Sequence, residues 1–278
     1  MSDMGTAPAH QQPALAEGAE SSSDEGPSTT VVVGAARGIG ARVGERLARA
    51  AWTERIVLAD IEGAGVEDVA ARIRSDGPTA EARQVDVTSA DQVAELISST
   101  ADARRVAIVA GVFEPSPALE LSEGSFRRIV DVNLFGTFFV AQGYARAMVE
   151  NGGGAIVAVA SIAARMPRVR QAAYCASKAA MRQALRVLGM EVAGHRVRVN
   201  TVSPGATDTP MMRSLAGDHP SVGHLADGSP EAMRPRIPDG RVATPADVAE
   251  AVAFLLSPQA DHIVLADLVI DGGELLGM

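Results

Sequence analysis

The chain carries arginine 24 times and lysine once, at Lys178. Either side chain usually serves an exposed cation, so a coding bias explains the arginine excess but not the exception. Guanidinium is planar and stays charged, whereas an ammonium is compact and can sit beside a titrating group. Tyr174, one of only two tyrosines, lies four residues earlier in Tyr174-Cys175-Ala176-Ser177-Lys178. In a helix that spacing puts both side chains on one face. A phenol ionises near pH ~10, so serving as a base at neutral pH requires lowering it by about 3 units, or about 4 kcal/mol. An ammonium a few ångströms away supplies much of that. The expected chemistry is proton abstraction by Tyr174 with Lys178 depressing its pKa. The plainer alternative is an exposed Tyr/Lys pair.

A second constellation lies near the start. Val31-Val32-Val33 runs into Gly34-Ala35-Ala36-Arg37-Gly38-Ile39-Gly40, and a helical pattern follows. Glycines there let the backbone turn sharply and approach a pyrophosphate, which then lies on the helix N-terminus. Asp60 closes the next apolar run, twenty residues beyond Gly40. A carboxylate in that place accepts ribose hydroxyls and repels a 2′-phosphate, so NAD is favoured over NADP. Arg37 argues the other way, because a cation in this loop can grip that phosphate; alternatively it forms a salt bridge to Asp60. Ile61 and Glu62 follow Asp60 with no basic residue.

These groups need a scaffold. Short β-branched runs at Thr30–Val33, Arg55–Asp60, Ala82–Val85, Arg105–Val109, Ala155–Ala160, Val197–Ser203 and Leu265–Ile270 read as strands. Several are continuously apolar, as a parallel sheet covered on both faces requires. Helical patterns fall near 39–50, 64–75, 90–100, 122–150, 171–193 and 245–256, the last opened by Thr244 as N-cap and Pro245 in the first turn. Strand–helix alternation over most of the chain predicts an α/β fold. Its sheet is doubly wound, Rossmann-type and parallel, with about seven strands and helices on both faces, in one domain over 29–278. Residues 206–242, rich in Pro, Gly, Met and His, are too long for an ordinary connection and read as a substrate lid. Residues 1–28 read as a disordered acidic tail, with five acids and neither Lys nor Arg.

The whole chain has 278 residues, 47% of them hydrophobic and 21% charged, enough to bury a core. A net charge of -9 argues against nucleic-acid or anionic-membrane binding. One cysteine, Cys175, forms no internal disulfide, and no apolar run reaches the roughly 20 residues of a membrane helix. The expectation is a cytoplasmic globular protein without a metal site. Cys175 reads as a small packing residue.

Taken together, 30–278 resembles the classical short-chain dehydrogenase/reductase family. Loop 34–40 looks like the family's cofactor loop, and Asp86-Val87 like its adenine-contacting pair. Ser161, thirteen residues before Tyr174, matches the catalytic serine, and Asn133 the helix asparagine that anchors a water beside the lysine. Asn200-Thr201-Val202-Ser203-Pro204-Gly205, Thr207 and Thr209 look like the segment holding the nicotinamide; Asp271-Gly272-Gly273 matches the C-terminal turn. Where the family usually has Asn-Asn-Ala-Gly, this chain has Ile108-Val109-Ala110-Gly111, and Val109 is expected to fill the gap by local repacking. The resemblance implies NAD as cofactor, held also by Ala110 and Gly111. It implies Tyr174 as proton acceptor, Ser161 as hydrogen-bond partner of the developing carbonyl, and Lys178 on the nicotinamide ribose. It also implies a homotetramer packed through helices 122–150 and 171–193.

The stretches 153–161, Pro167-Arg168, 202–209 and 269–273 look most like 2,3-dihydro-2,3-dihydroxybenzoate dehydrogenases of catechol-siderophore pathways. Those enzymes oxidise a cyclohexadiene alcohol to a ketone that aromatises. Arg168 is then expected to pair with a ring carboxylate, with Arg165 and Arg170 as neighbours able to do the same or to face solvent. Glu114 stands where such enzymes tend to carry arginine, and an acid there would welcome an amino group. The implied substrate is a dihydroxy compound giving 2,3-dihydroxybenzoate, or its amino analogue 2,3-dihydro-3-hydroxyanthranilate. A ketoacyl- or steroid-type reductase, usually NADPH-linked, is the further alternative, and Asp60 counts against it.

Overall fold

A computed structural model describes residues 28–214 and 221–276. Its seven strands are β1 (Ser28–Val33), β2 (Thr53–Asp60), β3 (Thr79–Gln84), β4 (Ala103–Ile108), β5 (Gly154–Val159), β6 (Val197–Pro204) and β7 (Asp267–Ile270). They form one sheet in the order β3-β2-β1-β4-β5-β6-β7, every neighbouring pair parallel. The order reverses between β1 and β4, the switch point where ligands of doubly wound sheets bind.

Both faces are covered. Helices α1 (Gly38–Ala48), α2 (Gly63–Ser75) and α8 (Pro245–Leu256) bury Val43, Leu47, Val69, Ile73, Val252 and Leu256 against Val32, Leu58 and Val157. On the other face, α3 (Ala90–Ser99), α5 (Thr137–Glu150) and α6 (Ala172–Val192) bury Leu96, Tyr144, Met148, Met181 and Leu185 against Val31, Val106 and Ile156. Full burial on both sides is why the central strands read as unbroken apolar runs. Helix α8 starts as expected: Thr244 and Asp247 form a reciprocal capping box with Pro245 in the first turn.

Several boundaries differ from the sequence expectation, each for a physical reason. Ser28, assigned to the tail, opens β1 and pairs with Thr53; residues 1–27 lie outside the described residues. Edge strand β3 starts at Thr79, because its half-exposed Glu81 and Arg83 hide the apolar signal. Strand β7 starts late, at Asp267, because Leu265 has φ +61°, which a strand cannot hold. The 122–150 helix is α4 (Glu123–Val130) and α5 joined by a π-helical turn over Asp131–Gly136. Such turns often mark functional positions, and this one carries Asn133. The 206–242 segment contains α7 (Pro210–Arg213) and a short 3₁₀ turn, Gly223–Asp227, and its residues 215–220 lie outside the described set. No described helix is long and apolar enough to cross a membrane.

Candidate active site

A cleft of about 290 Å³ opens at the C-terminal ends of β1, β2, β4, β5 and β6. At one end lies the glycine loop. A Cβ at Gly34 (φ +88°) would lie 2.3 Å from the Ala110 nitrogen, and one at Gly40 only 1.7 Å from the Gly34 carbonyl oxygen. Only glycine allows the loop to fold this tightly against the start of α1. The N-cap residue of α1, Arg37, makes no side-chain cap bond, and the first turn holds no acid. The leading amide N–H groups therefore meet the cleft uncapped, a donor set suited to a pyrophosphate.

Asp60, at the end of β2, is held by two backbone donors: Ala36 N–H to Oδ2 at 2.9 Å and Glu62 N–H to Oδ1 at 3.0 Å. Arg37 does not pair with Asp60; it pairs with Glu62 at 2.7 Å. The guanidinium therefore does not neutralise Asp60, which lines that end of the cleft with Arg37 and Asp86. Asp86 accepts from the Thr88 amide and hydroxyl, which fixes the turn that presents Val87. Gly34, Arg37, Gly38, Ile39, Gly40, Asp60, Ile61, Asp86, Val87, Ala110, Gly111, Pro204, Gly205, Thr207 and Thr209 all line the cleft. Val109 lines it too, its amide bonded to the Val33 carbonyl at 2.7 Å and its side chain packed on the sheet.

Ser161, Tyr174 and Lys178 stand at the other end. Ser161 caps the 3₁₀ turn Ile162–Ala164 through a 3.1 Å bond from Ala163 N–H. Tyr174 lines the cleft together with Ser161, and Phe113 packs edge-on against its ring at 4.9 Å between centroids. Lys178 is buried and donates from Nζ to the Val159 carbonyl at 2.8 Å, with Nζ 5.9 Å from the Tyr174 ring centroid. Gly111 lets this crowding happen: a Cβ there would meet Asn133 Oδ1 at 3.3 Å and Lys178 Nζ at 3.4 Å.

The protonation states of the protein alone depart from the sequence expectation. Burial pushes the Tyr174 phenol above its ordinary value, only partly offset by the Ser161 hydrogen bond. Burial likewise pulls Lys178 down to about 8. Desolvation is the largest influence on both groups, and it opposes the charged form of each.

Asn133 lies outside the cleft wall. Its Oδ1 accepts from Val112 N–H at 2.8 Å, and its Nδ2 donates to the Val112 carbonyl at 2.9 Å and to Ser177 Oγ at 3.1 Å. It ties the loop after β4 to α6. Asn200 is similarly spent, bonding Ile263 and Ala266 beside β6.

The two expected substrate contacts need correction. Arg168 does not stand free for a ring carboxylate: it donates to Glu274 at 2.8 Å, and Arg234 donates to the same Oε1 at 3.1 Å. Glu274 is fully buried and Arg168 is 9% exposed. Glu114 does not wait for an amine but pairs with Arg128 of α4. Neither Arg168 nor Glu114 is among the cleft-lining residues. Arg165 is bound to Asp267, and Arg170 is a left-handed residue whose carbonyl accepts from Ser116 N–H. Sequence reading missed Val112, Val132, Met211 and Met212, which add apolar wall to the cleft. It also missed the acids Glu274 and Asp267. The methionines sat in the assigned lid; the acids had no local signal.

A doubly wound sheet with a glycine loop, an acid closing β2 and a Ser–Tyr–Lys cluster at its C-terminal edge defines a nucleotide-dependent oxidoreductase. The chain belongs to the short-chain dehydrogenase/reductase family: a family profile described as enoyl-(acyl carrier protein) reductase matches residues 34–274. It is 36% identical to the 2,3-dihydro-2,3-dihydroxybenzoate dehydrogenase of Bacillus subtilis (strain 168) over 254 residues, 89% of this chain and 95% of that one. It is 39% identical to the D-threitol dehydrogenase of Mycolicibacterium smegmatis over 249 residues, 87% and 91% of the two chains. Among solved structures, a 7α-hydroxysteroid dehydrogenase complexed with NADH and 7-oxo glycochenodeoxycholic acid superposes with a TM-score of 0.81 at 28% identity, covering 90% of this chain and 95% of that one.

Proposed function

We propose that the protein oxidises one carbinol of a cyclic vicinal diol with NAD, its substrate being of the 2,3-dihydro-2,3-dihydroxybenzoate type and its product the aromatic 2,3-dihydroxybenzoate. The setting proposed is siderophore or other secondary-metabolite synthesis. The observation that carries the reading is one cleft with Asp60 at one end and Ser161, Tyr174 and Lys178 at the other. Bound NAD supplies the hydride acceptor and adds positive charge to the pocket. Asp60 holds the adenosine ribose hydroxyls, and the uncapped N-terminus of α1 holds the pyrophosphate. Ser161 fixes the substrate hydroxyl; Tyr174 Oη accepts its proton as the C–H pair leaves as hydride and the C–O bond becomes a carbonyl. Lys178 holds the nicotinamide ribose. The ketone then enolises to the aromatic ring, which makes the oxidation one-way.

A vicinal diol is common to the named substrates of the dihydroxybenzoate and threitol enzymes. The amino analogue is the alternative: Glu114 pairs with Arg128 through Oε1, and its buried Oε2 has no hydrogen-bond partner. Assembly as a homotetramer is supported by Phe126, Phe135 and Phe139, exposed along the first of the two expected segments, 122–150.

The test is turnover of purified protein with 2,3-dihydro-2,3-dihydroxybenzoate, 2,3-dihydro-3-hydroxyanthranilate and D-threitol, each with NAD and NADP. The dihydroxy acid with NAD is expected to give the highest kcat/KM, and Tyr174→Phe to abolish turnover while leaving NAD binding intact. Inertness toward both cyclohexadienes refutes the dihydroaromatic reading. Activity in Tyr174→Phe refutes the role of Tyr174.

A further inference from the structure

Asp267 is the most heavily bonded acid in the described residues, and nothing in the reaction above uses it. Its side chain is 1% exposed. Oδ2 accepts from Arg165 Nε at 3.0 Å and Nη2 at 2.7 Å, and from Arg182 Nη1 at 3.0 Å. Oδ1 accepts from Thr201 Oγ1 at 2.9 Å and Ser203 Oγ at 2.6 Å. Burial opposes its charge, but these donors outweigh burial and hold its pKa below the usual carboxylate value.

The donors come from the parts of the chain that carry the reacting groups. Arg165 ends the short turn that begins at Ser161. Arg182 lies on α6 one turn beyond Lys178 and two beyond Tyr174. Thr201 and Ser203 belong to β6, directly before the cleft-lining Pro204 and Gly205. Ser161 and Tyr174 must meet within hydrogen-bond range, yet one sits on a loop and the other on a helix that approaches from a different side. A single anion bridging both, fixed to the sheet by two hydroxyls, sets their separation.

We infer that Asp267 is a positioning residue for the reaction, locking the Ser161 turn to the Tyr174/Lys178 helix through Arg165 and Arg182 and offsetting part of their joint charge. The inference rests on the reading of Ser161, Tyr174 and Lys178 as reacting groups. Around Tyr174 the facing groups are Lys178 and Cys175 from its own helix, Ser161 from the loop after β5 and Phe113 from the loop after β4. Arg182 follows Tyr174 and Lys178 along the same side of α6, and it shares the single charge of Asp267 with Arg165. A misplacement of order 1 Å between reacting groups costs up to about a hundredfold in rate. An uncompensated unit charge about two helical turns away moves a pKa by about half a unit.

The experiment compares the full-length enzyme with Asp267→Asn, Arg182→Met and Tyr174→Phe, measuring kcat, both KM values and the pH profile of kcat with NAD. Asp267→Asn keeps the shape and one acceptor oxygen for the hydroxyls but removes the charge and the acceptor that Arg165 and Arg182 share. It is expected to lower kcat about ten- to hundredfold with the KM for NAD within about twofold, and to shift the acid limb of the profile about half a unit down, since Arg165 and Arg182 then lose the acid they share. Arg182→Met leaves Asp267 anchored by Arg165, Thr201 and Ser203, and is expected to shift the same limb up. These opposite shifts are a signature that general loosening does not produce, and Arg182→Met supplies the readout if Asp267→Asn does not fold. Unchanged kcat in Asp267→Asn, or limbs that stay put or move the same way in both variants, overturns the inference. An active Tyr174→Phe instead overturns the catalytic reading beneath it.

Discussion

The buried Lys178 is a liability to the fold, and its size follows from its environment. Burial lowers its pKa from 10.5 to about 8, with desolvation as the cause. That difference corresponds to about 3 kcal/mol. Below pH 8 the ammonium is protonated in folded and unfolded chains alike, so the full cost falls on the folded state. Between pH 8 and 10.5 the folded chain has released a proton that the unfolded chain retains, so stability rises with pH; above 10.5 the penalty is gone. Replacing Lys178 by Met removes the charge and keeps much of the volume. The Val159 carbonyl loses its donor, which costs about 1 kcal/mol. The net expectation at pH 7 is a stabilisation of about 2 kcal/mol, a melting temperature higher by about 4–8 °C for a chain of this size. Turnover should vanish.

Thermal melts of wild type and Lys178→Met without NAD, at pH 7 and pH 9.5, provide the assay. The gap between them should be largest at pH 7 and shrink markedly at pH 9.5. The comparison is clean because Lys178 is the chain's only lysine, so no other side-chain amine titrates in that window. A variant that melts at or below wild type at pH 7, or a gap equal at both pH values, refutes the reasoning.

Asp60→Ala removes the acceptor at the ribose end of the cleft along with its bonds to Ala36 and Glu62; losing charge-assisted bonds should raise the KM for NAD about ten- to a hundredfold and narrow the preference over NADP, as read from kcat/KM with each. Unchanged cofactor preference would remove Asp60 from the site. Glu274→Ala strands Arg168 and Arg234 in a buried place and should cost about 3–5 kcal/mol, seen as a lower urea midpoint, whereas Glu274→Gln, which keeps one acceptor, should cost less. An unshifted midpoint in Glu274→Ala would mean that the cluster is solvated.

The parts legible in the sequence were those with local signals. Strands β1, β4, β5 and β6 are buried on both faces, so composition alone exposes them. Tyr174 and Lys178 stood out because each is scarce and their spacing is helical. Asp60 stood out because the glycine loop sets its distance. The ion pairs that hold the loops had no such signal. Arg165 reaches an acid 102 residues away, Arg168 one 106 away, and Arg182 one 85 away. In a chain with 24 arginines nothing local tells a committed guanidinium from a free one, and so Arg168 read as a substrate contact. The π turn at Asp131–Gly136 was hidden for the opposite reason: its hydrophobic period matches that of the α-helices on either side.

Those distant pairs share a logic. The loop from Ser161 to Arg170 has one short 3₁₀ turn and little regular hydrogen bonding of its own, yet it must hold a serine within reach of a tyrosine on another element. Arg165 and Arg168 fasten it at two points, to Asp267 at the start of β7 and to Glu274 in the turn after it. Arg182 joins α6 to the first acid, and Arg234 joins the 206–242 segment to the second. Two acids within eight residues thus fix the three segments that surround the Ser161 end of the cleft. Buried ion pairs add little net stability over well-packed apolar groups, because desolvation offsets most of the attraction. What they add is a geometry that cannot slip without exposing an unpaired charge to a dry interior. Accepting that arrangement, together with the penalty at Lys178, trades fold stability for a fixed separation between reacting atoms, which is where a proton acceptor and a hydride donor gain rate.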